Sequence, residues 1–129
     1  MSEYVLDASA LLALLKEEPG CAKVVEALAE TRISVVNLAE VVSHFIHAGM
    51  PPHEVDAMLK PLPVTVVEAD EGLAVVAGRL RAQTSEAGLS LGDRFCLALA
   101  MRDGIPAMTA DKQWRVIADA VGAQIVVIR

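Results

Sequence analysis

The chain has 129 residues, with 17 acidic against 11 basic side chains and a formal net charge of −6; its pI is near 4.9. So acidic a balance excludes a protein that grips nucleic acid along an extended basic groove, while leaving room for a small site in which a cation bridges to phosphate. The length gives one domain, residues 1–129, and 54% hydrophobic with only 3% aromatic residues means an aliphatic core with apolar surface left for a partner to cover.

In chain order, the apolar run that ends Glu3–Leu6 reads as a strand buried on both faces, the central strand of a parallel sheet, with Asp7 at its C-terminal end. Ser9 caps a short helix to Leu15, Pro19-Gly20 breaks it, and a second helix covers Cys21–Ala29. Ile33–Val36 is the next strand. Asn37 then caps an amphipathic helix with Leu38, Val41, Val42 and Phe45 on one face, ending at Gly49. A helix over His53–Leu59 follows Pro51-Pro52, and Pro63–Val67 is the third strand.

Asp70 starts a helix to about Ala87, closed by Gly88. Ser90 caps a helix from Leu91 to Arg102 whose middle, Phe95–Met101, is apolar all round and so buried on several sides. Pro106–Thr109 forms a fourth strand leading to Asp111, and a helix over Lys112–Ala120 and a strand over Gln124–Ile128 complete the chain. Strands alternating with helices make an α/β protein, a three-layer α/β/α sandwich around a parallel sheet of about five strands.

Cys21 and Cys96 are expected as free buried thiols of a reducing compartment. Met1-Ser2-Glu3 has no basic leader region, and the apolar run Ala10–Leu15 is far shorter than the roughly 20 residues that cross a bilayer, so a cytoplasmic protein is expected.

Four acids hold the chemistry. Asp7 and Asp111 follow strands, while Glu40 and Asp93 sit three residues after Asn37 and Ser90 in what read as capping boxes. Any one of them alone is explained by capping and the helix macrodipole. Together they gather at one edge of the sheet, where each like-charged pair at roughly 4 Å costs up to about 4 kcal/mol at an effective dielectric of about 20. A cation is needed to keep them ionised, and hard carboxylate oxygens suit Mg²⁺ or Mn²⁺ rather than zinc. Carboxylate-held Mg²⁺ activates water and stabilises phosphoryl oxygens, which points to phosphodiester hydrolysis.

Val5-Leu6-Asp7-Ala8-Ser9-Ala10-Leu11, Asn37-Leu38-Ala39-Glu40-Val41, Leu89-Ser90-Leu91-Gly92-Asp93 with Leu97-Ala98-Leu99-Ala100, and Thr109-Ala110-Asp111 resemble the four acidic motifs of PIN-domain ribonucleases. The resemblance is specifically to VapC-type toxins of type II toxin–antitoxin systems, in order and spacing over nearly the whole chain. It implies a PIN fold, Mg²⁺-dependent endoribonuclease activity on RNA, a homodimer and inhibition by a cognate VapB-type antitoxin. Carried onto this chain, Asp7, Glu40, Asp93 and Asp111 are the catalytic, metal-binding quartet, with Ser9 and Thr109 as supporting hydroxyls on the substrate side. In that scheme Asp7 and Asp93 hold the metal that activates water, Asp111 completes the site and Glu40 orients it or binds a second ion. In-line attack leaves a 5′-phosphate and a 3′-hydroxyl; the RNA target stays open.

Arg94, Lys112 and Arg115 are the basic residues near the acids and are candidates for RNA phosphates, whereas Arg102 reads as a helix C-terminal charge. Trp114 is either a base-stacking residue or packing for the last helix. His44 and His47 share a helical face with Glu40, but His47 is roughly 10 Å along the axis from Glu40, too far for one ion. His53, beside Pro52, reads as a surface residue. A dehalogenase-type phosphotransferase wants a second Asp where Ser9 stands, and a receiver-like module wants a Lys after a late strand where Lys112 fits poorly. The remaining alternative is a PIN-like module that binds RNA or a partner without cutting.

Overall fold

The computed structural model describes residues 2–129; Met1, part of the leader argument, lies outside them. Strand β1 (Tyr4–Leu6) has no polar alternation because both its faces are covered. Val5 points into one aliphatic layer with Leu73, Ala77, Leu97 and Ile117, and Leu6 into the other with Leu11, Val24, Val41 and Val55. Around it lie β2 (Thr31–Ser34), β3 (Thr65–Val67), β4 (Ala107–Thr109) and β5 (Ile125–Val127), all parallel, in the order β3-β2-β1-β4-β5. The expected five-stranded sandwich is what forms.

On one face pack α1 (Ala8–Leu15), α2 (Cys21–Ala27), α3 (Val35–His47) and α4 (Pro52–Leu59); a 3-10 turn, Leu28–Glu30, leads from α2 into β2. On the other pack α5 (Glu71–Arg79), α7 (Leu91–Asp103) and α8 (Trp114–Val121), with the short α6 (Arg81–Thr84) after α5. Among the described residues no helix is long and apolar enough to cross a membrane.

Three helices depart from expectation, each for a local reason. The cap of α1 is Asp7, not Ser9, since the Asp7 carboxylate accepts from the Ala10 N–H at 2.8 Å. In α3 the β-branched pair Val35-Val36 is helical rather than strand, because Ser34 is the cap and its hydroxyl accepts from the Val36 N–H at 3.2 Å. Asn37 is therefore inside the first turn, and Glu40 moves to the second. The helix expected from Asp70 to Ala87 breaks at Leu80, where the buried Thr84 hydroxyl donates back to the Leu80 carbonyl at 2.9 Å, a bond that bends helices.

α7 forms as expected. Ser90 and Asp93 make a complete capping box, Cys96–Ala100 are buried, and Gly104 ends the helix in the left-handed conformation at φ 66°. At its far end Arg32 of β2 donates to Asp103 at 2.6 Å, and Arg102 also donates to Asp103. Burial pushes the Asp103 carboxyl up, but the hydrogen bonds from Arg102 and Arg32 hold it below the usual range. Cys21 and Cys96 are both free, Cys96 fully buried and Cys21 partly so.

Trp114 is 0% exposed and packs with Leu97, Ile117 and Val121. It is core, which removes it from the RNA-stacking candidates. Trp114→Ala should lower stability by about 3–5 kcal/mol, measured by urea unfolding followed by far-UV circular dichroism, since the sole tryptophan is lost.

Candidate functional site

β1 has β2 on one side and β4 on the other, so the chain reverses its direction across the sheet between β1 and β4, and the crevice at the carboxyl ends of these strands is where open α/β sheets bind ligands. Asp7 follows β1 and Asp111 lies two residues past β4. Glu40 comes in on α3, which follows β2, and Asp93 on the first turn of α7.

Asp7 is 3% exposed and is enclosed by donors. Its Oδ1 accepts from the Ala10 N–H, its Oδ2 accepts from the Thr109 hydroxyl at 2.6 Å, and the Ser9 hydroxyl lies within 2.9 Å of both oxygens. Ser9 has one proton to give, so three of the carboxylate's roughly four acceptor positions are used and one is left. The same two hydroxyls reach the Asp111 loop: Ser9 Oγ accepts from the Ala110 N–H at 2.9 Å and Thr109 Oγ1 from the Asp111 N–H at 3.1 Å. Ser9 and Thr109 thus face Asp7 and the backbone rather than a substrate; Thr109 is fully buried.

Asp93 accepts from the Ser90 N–H through Oδ2 at 2.8 Å, Glu40 accepts from Asn37 Nδ2 through Oε1 at 2.8 Å, and Asp111 accepts from the Gln113 N–H through Oδ1 at 2.9 Å. Asp93 is the shared neighbour. Burial comes first in raising the Asp7, Glu40 and Asp93 carboxyls, and the charge of Asp93 adds to the rise at Asp7 and at Glu40, while Asp111 adds to that at Asp93. The Cys96 thiol beneath them is pushed well up by burial, and then by Asp7, Asp93 and Glu40.

The four predicted acids are therefore brought together. Among the described residues no three His, Cys, Asp or Glu side chains stand as a ready-made metal cluster. The donor set nevertheless suits a hard divalent cation, being all carboxylate oxygen, and each added charge in it raises the proton affinity of its neighbour.

Of the basic candidates, Lys112 and Arg115 are exposed just past Asp111. Arg94 is not. Its guanidinium is buried and NH1 donates to the Ala77 carbonyl of α5 at 3.0 Å, while Nε has no partner among the described residues, so it ties α7 to α5 instead of meeting RNA. His44 sits edge-on to its neighbour Phe45, and His47 is exposed.

Two residues of the site were missed in sequence. Asn37, read as a cap, is fully buried and also donates to the Gly92 carbonyl at 2.9 Å. Gly92 leaves the space that the Glu40 carboxylate fills, since a Cβ there would overlap it. The signal for Asn37 lay in Ser34, which caps equally well and would have put Asn37 on the inner face of the helix.

Asp7 carries a pH dependence. Burial lifts its pKa from 3.8 to about 6, equivalent to about 3 kcal/mol against the ionised folded state. A carboxyl raised on folding favours the fold while protonated; that contribution is full below pH 3.8 and is lost as the pH rises through about 6. In metal-free buffer, stability should therefore fall from pH 4 to 7. Asp7→Asn should flatten that fall and be no less stable than wild type at pH 7, measured by chemical denaturation at each pH.

The sequence matches the PIN domain family over residues 4–120. No curated protein matches the chain at a significant level. Among solved structures, a DNA-bound VapBC complex from Salmonella typhimurium matches with a TM-score of 0.75 at 17% identity, covering 100% of both chains. FitAcB from Neisseria gonorrhoeae matches at 0.74 and 14%, over 97% of each chain. A VapC toxin from Mycobacterium tuberculosis, described as cleaving the sarcin-ricin loop, matches at 0.72 and 16%, over 88% of this chain and 93% of that one. Likeness at such identities establishes a common fold. Because the family match runs through all four acids and every strand but the last, the chain belongs to the PIN domain family.

Proposed function

We propose that the protein is a metal-dependent endoribonuclease that acts as the toxin of a toxin–antitoxin pair. The observation that carries this is the coupling of Asp93 to Asp7, Glu40 and Asp111, with burial driving three of the four toward their neutral forms. A cation bound among such a set would favour its ionised form.

Asp7, Asp93 and Asp111 would hold Mg²⁺ or Mn²⁺, with Glu40 orienting the site or taking a second ion. The bound ion would supply a water of lowered pKa and polarise phosphoryl oxygens. Ser9 and Thr109 keep Asp7 aimed and link it to the Asp111 loop. Lys112 and Arg115, exposed beyond Asp111, are placed to meet RNA phosphates.

Partners follow from the similar structures, several of which are toxin–antitoxin complexes. A VapB-type antitoxin, a homodimer and a cytoplasmic setting are the corresponding proposals here. The chain has apolar surface for them: Val35, Ile46 and Leu91 are exposed, and a cavity of about 560 Å³ opens between α3, α4 and β3, lined by Leu38, Val42, Leu59, Leu62 and Val64.

The second reading, a module that binds without cutting, is favoured by one observation: protein donors already take three of the roughly four acceptor positions of Asp7. Incubation of purified protein with total RNA separates the two. We expect 5′-phosphorylated fragments with Mg²⁺ and none with chelator. Asp7→Asn and Asp93→Asn should each slow cleavage on the order of 100-fold or more. Fragments from neither metal nor any RNA would favour the binding module, and wild-type rates in both variants would overturn the assignment of the acids.

A further inference from the structure

We infer that Asn37 and Gly92 are a pair of positioning residues that together set where the Glu40 carboxylate stands relative to Asp93. The inference rests on the nuclease reading of the site and goes beyond it, to residues that touch neither metal nor RNA.

Asn37 is 0% exposed. Its Nδ2 gives one proton to Glu40 Oε1 at 2.8 Å and the other to the Gly92 carbonyl at 2.9 Å. Both partners only accept, so the orientation of the carboxamide is fixed and both of its donors are committed. Its own Oδ1 has no partner among the described residues. A buried amide with an unpaired oxygen is costly as mere core filling, and an apolar side chain of similar size would avoid that cost. What Asn37 contributes lies on its donor side, as a clasp between the first turn of α3 and the first turn of α7.

Gly92 makes the other half. It is buried in the first turn of α7, where glycine is a poor helix former. A Cβ at this position would fall on the Glu40 carboxylate itself, against Oε1, Oε2 and Cδ. Gly92 is also the residue before Asp93. Its missing side chain and its carbonyl therefore both define where Glu40 lies beside the next carboxylate. One residue pulls Glu40 in, and the other leaves it room.

The test measures Mn²⁺ binding to the full chain by calorimetry, without RNA, alongside Mg²⁺-dependent RNA cleavage and thermal unfolding. Gly92→Ala should keep or raise the unfolding midpoint, because alanine is the better helix former, yet weaken Mn²⁺ binding and cleavage by about 10- to 100-fold, the usual effect of removing support from a metal ligand. Asn37→Ala should shift both in the same direction. In a Glu40→Ala background neither substitution should add more than about twofold, since both act through Glu40. Wild-type binding and cleavage in both variants would overturn the inference, as would equal losses in the Glu40→Ala background, which would mark a general packing defect. If the wild-type chain itself neither binds Mn²⁺ nor cuts RNA, the nuclease reading fails instead. The clasp is then read from the Asn37 side-chain amide resonances, which should shift in Gly92→Ala and in Glu40→Ala; unchanged resonances overturn it.

Discussion

Four carboxylates held in one crevice repel one another, and the local architecture of this protein is organised around keeping them there. Asp7, Glu40, Asp93 and Asp111 each accept at least one hydrogen bond from a neighbouring backbone or side-chain donor. At Asp7 the accepting carboxylate is itself the cap of α1, and at Asp93 the donor is the backbone N–H of Ser90, the cap of α7, so a bond at each helix start also aims a functional oxygen. Even so, burial outweighs the donors at Asp7, Glu40 and Asp93, and their carboxyls remain raised. The protein's own groups leave the charge under-compensated, which is the condition that gives a divalent ion something to bind.

The sheet delivers these acids with few residues. Each strand is three or four residues long, and β1, β4 and β5 each send side chains into both aliphatic layers. Short parallel strands leave their helices close to the carboxyl edge, so a single residue after a strand is already in the crevice. Against the buried face of α7, small side chains at Ala98 and Ala100 beside Leu97 and Leu99 let that helix lie close to the sheet. Its first turn thereby reaches across to α3, which belongs to the other layer.

What the sequence made legible was local. The apolar run into Asp7, the Ser90 capping box and the strand leading to Asp111 are signals carried by adjacent residues, and the sheet, the order of elements and the four acids follow from them. What stayed hidden depended on contacts between distant segments. Val35-Val36 reads as strand because β-branched residues favour strands, and only Ser34's cap makes it helix. Arg94 beside Asp93 reads as a phosphate ligand, and only the α5 carbonyl at Ala77 turns it inward. Asn37 has the chemistry of a cap and is used as a bridge, a distinction that exists only once α3 and α7 are packed.

The Arg32 to Asp103 ion pair at the far end of α7 gains meaning beside the Asn37 bond at its near end. A 13-residue helix is a rod of about 20 Å, and this one is pinned to β2 at one tip and to α3 at the other. A rod fixed at both tips neither tilts nor slides alone. Fluctuations that widen the gap between Glu40 and Asp93 must then carry the seam between α3 and α7 with them, placing them among collective motions of microseconds to milliseconds rather than the nanosecond hops of free side chains. Backbone relaxation at the two ends of α7 should accordingly report one shared exchange process.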